Sequence, residues 1–239
     1  MKRGTARAKS KGGSCERAIR EYFGGILSGE IIACEKMKQV AAHVLLDMDN
    51  TDLLYPYHYR EEFAQKHVRF IESFCRLPSG RLGHGFKLEL FQRAILSVVF
   101  GFVDAEGVRQ YRMAYLEIAK KNGKTELIAA LSLYHLVMDA PGGEIYCGAA
   151  DRNQASIAFN AAKSMVEQSE VLSKIIKIKD STKEMLNLRT HSRFKVLSAE
   201  AATKHGLNPS VVIIDELHAH PKRDLWDVLT FGTGAARNE

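Results

Sequence analysis

Apolar residues recur at helical spacing through the first third of the chain, as in Ile31, Ile32, Met37, Val40, Val44 and Leu45, and again in Phe63, His67, Phe70, Ile71 and Phe74. This pattern predicts a mostly α-helical region from Ser14 to about Asp104. A Pro and Gly cluster, Pro78 to Gly85, interrupts it before a further helix over Glu89 to Phe102. From Arg109 onward the pattern changes to short apolar or alternating runs interleaved with helices, the signature of a mainly parallel sheet with covered faces. The predicted strands are Arg112 to Ile118, Glu144 to Ala149 and Val211 to Ile214. The predicted helices run from Thr125 to Met138 and from Asp151, an N-cap, to Val166. Two further runs, Glu184 to Arg189 and Arg193 to Leu197, predict a hairpin at the sheet edge around Thr190-His191-Ser192.

The 239 residues, 46% of them hydrophobic, can bury the core of one large α/β domain, or of one domain with a helical appendage. The net charge of +6 points toward nucleic acid until its location is read. Lys2, Arg3, Arg7, Lys9 and Lys11 all precede the first acid, Glu16, so the remaining body is close to neutral. Residues 1–13 read as a flexible basic arm that either touches phosphate backbone without reading sequence or is simply a solvated tail. Residues 14–104 then form the helical N-terminal region and 105–239 the α/β core. No apolar stretch has the length of a signal-peptide core or a membrane span, which predicts a cytoplasmic location and no membrane partner. Cys15, Cys34, Cys75 and Cys147 are scattered, which favours reduced thiols over a disulfide frame or a zinc site.

Chemistry enters with Tyr115-Leu116-Glu117-Ile118-Ala119-Lys120-Lys121-Asn122-Gly123-Lys124-Thr125, which runs into the apolar helix. Binding a triphosphate takes backbone N–H groups at a positive helix end, a Lys for the outer phosphates and a hydroxyl on Mg²⁺. Gly123, Lys124 and Thr125 supply these in order, although Ile118 stands where the G-x-x-x-x-G-K-[ST] pattern has its first Gly. A three-residue match also occurs by chance in solvated loops. The second run supplies context: Val211-Val212-Ile213-Ile214-Asp215-Glu216 is four aliphatics ending in two carboxylates, as a buried parallel strand reads. At its carboxyl end Asp215 would reach the Mg²⁺ held by Thr125, and Glu216 would orient and deprotonate the attacking water. Upstream, Gln92 follows Phe91; its amide suits an adenine edge, and equally a surface Gln beside a core Phe.

Together these residues resemble the large terminase subunits of tailed bacteriophages, in the branch whose phosphate loop reads like Lys120-Lys121-Asn122-Gly123-Lys124-Thr125. Similar stretches are Tyr146 to Ala155, Leu197 to Ala201, Gly206 to Pro209, Ile214 to His220 and Thr230 to Arg237, and the resemblance extends from about Ser28 to the end. It implies a P-loop NTPase: an ATP-hydrolysing, Mg²⁺-dependent motor that drives double-stranded DNA into a capsid. Its partners would be DNA, the portal and the small terminase subunit, with a homo-oligomeric ring in the full-length protein and the host cytoplasm as its location. By position, Lys124 and Thr125 would hold phosphates and Mg²⁺, Asp215 the metal, Glu216 the water and Gln92 the adenine. Lys120 or Lys121 would lie near the γ-phosphate, and Asn122 and Gly123 complete the loop. The resemblance also accounts for Ile118, since these motors tolerate a non-Gly residue there.

Two departures accompany the resemblance. The stretch Thr203-Lys204-His205-Gly206 lacks the Arg that relatives place there to serve a neighbouring subunit, so no arginine finger is assigned. The family continues with a further strand and a nuclease domain, so the chain is expected to be a truncated product with an open sheet edge and no DNA cleavage. Two alternatives follow: a non-hydrolysing nucleotide- or DNA-binding module, and another nucleic-acid-linked P-loop ATPase, which would need a second motor lobe. His218 and His220 do not share a helix face and are read as loop residues rather than metal ligands. Trp226, in the amphipathic stretch Asp224 to Phe231, is read as an aromatic core anchor.

Overall fold

The computed structural model describes residues 14–77, 83–198, 207–220 and 222–231. The basic arm, the middle of the Pro and Gly cluster, the Thr203 to Gly206 stretch and the tail beyond Phe231 lie outside the described residues. Two compact units divide the chain, the first comprising residues up to 68 with 88–114, the second 69–87 and everything from 115 onward.

In the first unit, helices α1 (Ser14–Ser28), α2 (Glu35–Met48) and α4 (Leu90–Gly101) pack together. Their apolar faces meet in a core of Ile19, Phe23, Ile26, Ala41, Val44, Ala94, Val98 and Phe102. At the start of α1, Glu61, the first residue of α3 (Glu61–Phe74), accepts from the N–H groups of Cys15 at 3.0 Å and Glu16 at 2.9 Å. That places a carboxylate on the positive end of the helix and satisfies two of its orphan donors. A two-residue ribbon interrupts the helical pattern: β1 (His58–Tyr59) pairs antiparallel with β2 (Phe102–Val103).

The second unit is built on a five-stranded sheet whose strands are β3 (Glu144–Ala149), β4 (Ile176–Lys179), β5 (Glu184–Asn187), β6 (Arg193–Ser198) and β7 (Val211–Ile214). Their order is β4-β5-β6-β3-β7. β3 is parallel to both its neighbours, with Cys147 opposite Val196 on one side and Ile213 on the other. β4 and β5 extend the sheet antiparallel. The sheet is therefore mixed, with a parallel centre. Helices α5 (Lys124–Met138) and α6 (Arg152–Glu167) pack on each other and on β3, while α7 (Glu170–Ile175) leads into β4.

Asp151 is the N-cap of α6, accepting from Asn153 N–H at 2.7 Å and Gln154 N–H at 2.9 Å. α8 (Asp224–Phe231) lies on the face of the sheet that presents Tyr146 and Gly148, anchored by Leu225 and Leu229. A Cβ at position 148 would stand 3.2 Å from Leu225 and 3.4 Å from Leu229, so glycine lets the helix approach this closely.

Three sequence expectations change. Arg112 to Ile118 is not a strand: the run has no regular secondary structure and lies outside the sheet, with Met113, Tyr115 and Leu116 exposed. Its apolar residues resemble a strand, but among the described residues nothing pairs with it, and β7 pairs only with β3. The hairpin exists, yet β6 lies inside the sheet; among the described residues β7 is one edge, and the edge strand beyond the hairpin is β4, whose alternation Ile176-Lys177-Ile178-Lys179 suits a half-buried edge. The Lys side chains there discourage further pairing. Finally, Trp226 is only half-buried, and the core anchors of α8 are Leu225 and Leu229, at 1% and 0% exposure.

Candidate functional site

The loop before α5 owes its shape to backbone that few residues adopt. Lys121 has φ of 67° and Gly123, the N-cap of α5, has φ of 72°, with Asn122 at negative φ between them. Alternation of this kind turns successive N–H groups to one side and makes an anion-binding concavity. Glycine enters the left-handed region at little expense, whereas for Lys121 it costs on the order of 1 kcal/mol. Asn122 holds the turn together by donating from Nδ2 to the carbonyls of Ala119 at 3.1 Å and Lys120 at 3.4 Å. The first hydrogen bond of α5 runs from Leu127 N–H to Gly123 O at 3.0 Å. The amides of Lys124, Thr125 and Glu126 thus precede any intrahelical acceptor, at the positive end of a 15-residue helix.

The acidic strand ends beside this loop. Lys124 Nζ lies 2.6 Å from Glu216 Oε1, a pair joining residues 92 apart in sequence, with side chains 25% and 23% exposed. The hydrogen bond from Lys124 holds the Glu216 carboxyl below its ordinary range, and the same bond raises the Lys124 ammonium above its own. Glu216 itself adopts left-handed backbone, with φ of 47° and ψ of 49°. Asp215 continues the parallel ladder, its N–H donating to Gly148 O at 3.0 Å, and its Oδ1 accepts from Glu216 N–H at 2.9 Å. Burial is the largest influence on Asp215 and pushes its carboxyl above the usual range, against the pull of Lys124.

Of the residues singled out from the sequence, the structure brings together Lys124, Asp215 and Glu216. Thr125 is half-buried in the first turn of α5, and Lys120 and Lys121 are exposed on the loop. Gln92 lies in the first unit, buried, where it completes a capping box: its Oε1 accepts from Glu89 N–H at 3.0 Å. The signal for that local role was the placement of Gln92 at the third position of its helix. His218 and His220 diverge, His218 Nε2 standing 3.4 Å from Glu216 Oε2 and His220 Nε2 3.1 Å from Asp215 O. A carbonyl only accepts, so Nε2 of His220 carries the proton.

The donor set fits a magnesium-bound nucleoside triphosphate. A Lys ammonium and a helix N-terminus supply positive charge for phosphates, and the Thr125 hydroxyl and Asp215 carboxylate are hard oxygen donors of the kind Mg²⁺ takes.

Asp215 also gives a stability prediction. A folded-state carboxyl raised by burial disfavours the fold as pH rises through and above the ordinary Asp range, and favours it only below that range. Asp215→Asn, which keeps the Oδ1 acceptor, is therefore expected to match or exceed the wild-type thermal midpoint at neutral pH. A gain of about 1 kcal/mol would appear as roughly 2–4 °C in scanning calorimetry, and a fall of several degrees would contradict the burial argument.

The family model "Terminase large subunit, ATPase domain" matches residues 90–238. The large terminase subunit of Enterobacteria phage HK97 is 38% identical over 180 residues, covering 73% of this chain and 35% of that protein. The crystal structure of the HK97 large terminase superposes with a TM-score of 0.63 at 37% identity, over 73% of this chain and 36% of that one. The large terminase ATPase domain of Thermus phage P74-26 is 20% identical over 47% of this chain and 51% of that one, with a TM-score of 0.41. The chain spans about a third of the length of the HK97 protein it matches.

Proposed function

Because the chain belongs to the terminase large subunit family through its ATPase domain, we propose that it is the ATP-hydrolysing motor part of a machine that drives double-stranded DNA into a phage capsid. The observation that carries this reading is the 2.6 Å contact between Lys124 of the phosphate loop and Glu216 of the acidic strand. It joins the two segments that a P-loop ATPase needs within one phosphate's reach of each other.

In this reading Gly123 and the first amides of α5 cradle the phosphates, Lys124 bridges the outer two, and Asn122 keeps the loop in shape. Lys120 and Lys121 add positive charge near the γ-phosphate. Thr125 and Asp215 would hold Mg²⁺, which when bound would neutralise phosphate charge. Glu216 orients a water in line with the γ-phosphorus and takes its proton as the oxygen attacks, with ADP as the leaving group. Incoming phosphate oxygens compete for the Lys124 ammonium, so nucleotide binding would release Glu216 for that task. Gln92 is assigned to adenine on the chemistry of its amide, which would require it to leave the capping box. The proposed partners are DNA, the portal, the small terminase subunit and, in a ring, further copies of the chain, in the host cytoplasm. Among the described residues no helix is long and apolar enough to cross a membrane.

The test is steady-state ATP hydrolysis by the 239-residue chain, with and without Mg²⁺ and with and without double-stranded DNA. Turnover that requires Mg²⁺ is the expected result. Nucleotide bound without turnover under all these conditions would replace the motor with a non-hydrolysing binding module.

A further inference from the structure

Beyond the loop and the acidic strand, the second unit holds an open cleft of about 430 Å³ lined by Ile214, Leu217, His220, Lys222, Arg223 and Trp226. Its wall combines a half-buried indole and two aliphatic side chains with three basic side chains, and among the described residues no carboxylate lines it. Arg223 Nε is 2.9 Å from Asp227 on the next turn of α8, an exposed pair that offsets part of the positive charge. Leu225 and Leu229 already anchor α8 to the sheet, so Trp226 is not needed as the core residue its sequence context suggested. A planar aromatic surface beside cationic side chains recognises a ligand that is itself planar at one end and anionic at the other.

We infer that this cleft is a second nucleotide-recognition site, in which a base stacks on Trp226 and its phosphate is held by Lys222 and Arg223. The volume lies in the range of small-ligand sites and accommodates a single nucleotide unit. Two sources carry that chemistry: an unpaired nucleotide of a DNA strand, and a free nucleotide. The cleft also adjoins the acidic strand, since Ile214 precedes Asp215 and His220 holds the Asp215 carbonyl. The inference does not depend on the proposed motor, because none of its residues belongs to the phosphate-loop assignment.

Trp226 is the single tryptophan of the chain, so its fluorescence reports on this cleft alone. The experiment titrates the full chain, and separately its Lys124→Ala variant, with a short oligothymidylate and with ADP while following Trp226 emission. Quenching is expected with at least one probe, to be preserved in Lys124→Ala and to weaken tenfold or more in Lys222→Ala/Arg223→Ala. Both of those side chains are exposed, so that variant retains the fold. Quenching by the oligonucleotide alone identifies a strand as the ligand, and quenching by ADP in Lys124→Ala identifies a free nucleotide. Unchanged emission with both probes overturns the site, as does quenching that persists undiminished in the double variant. Failure of the motor reading would show separately, as absent ATP turnover in a chain whose Trp226 still responds.

Discussion

Glu216→Gln is expected to lower ATP turnover by about 10²–10³-fold, the usual contribution of a positioned general base, while nucleotide remains bound. Gln has the same shape and offers Lys124 a carbonyl oxygen in place of the carboxylate at 2.6 Å. It cannot accept the proton of the attacking water. The substitution also exchanges a charge-assisted bond for a neutral one roughly half as strong, so Lys124 is released more readily to phosphate. ATP affinity in the variant should therefore equal or exceed that of the wild type. Turnover measured beside calorimetric binding separates the two effects. Turnover within a few-fold of wild type would remove Glu216 from the role of base, and a large loss of affinity would mean that Glu216 helps to hold nucleotide rather than competing with it for Lys124.

Lys124→Ala is expected to weaken ATP binding by about 30–150-fold, which is the loss of one charged hydrogen-bonding group worth roughly 2–3 kcal/mol. The fold should survive. The ion pair is partly exposed, and a pair of this kind contributes about 1 kcal/mol or less. Unchanged affinity would remove the loop assignment.

The same pair predicts an acid limb. Because Glu216 is held below its ordinary range, its contribution to stability is complete above that range and is lost as pH falls through the depressed value. Because Lys124 is raised, its contribution holds up to the ordinary lysine range and is lost only as pH climbs through the elevated value. Stability in Lys124→Ala should accordingly fall less steeply with acid than in the wild type.

Much of the site was legible in the sequence because its parts are written in contiguous residues. Val211 to Ile214 is apolar at every position, which reads as a parallel strand, and the carboxylates follow immediately where the strand ends; the strand is half-buried rather than fully covered, because among the described residues it pairs on one side only. Gly123-Lys124-Thr125 likewise opens a helix whose first turn is the proposed phosphate-binding surface. What the sequence did not carry depends on partners distant along the chain. The run Arg112 to Ile118 has strand composition, but composition does not say whether a neighbour will take its hydrogen bonds. Glu61 sits 46 residues from the amide of Cys15 that it caps, beyond any capping pattern read from adjacent positions. The left-handed backbone of Glu216 had no glycine to announce it. For Trp226 the helical period was read correctly, but the choice of anchor went to the largest side chain, whereas Leu225 and Leu229 fill the space over Gly148.

The parallel centre of the sheet also sets how this unit reaches its native state. Both strand pairings of β3 are non-local: at its start Gly143 meets Ser192 across 49 residues, and Glu144 meets Ser210 across 66. Closing loops of that length precedes any reward from the pairing, which slows folding relative to local structure. The β4–β5 hairpin and the helices can form early from neighbouring residues, but Lys124 and Glu216 meet only once β7 has docked. During synthesis the phosphate loop therefore waits for the acidic strand to emerge, and nucleotide added to a refolding reaction should bind only in its slow phase.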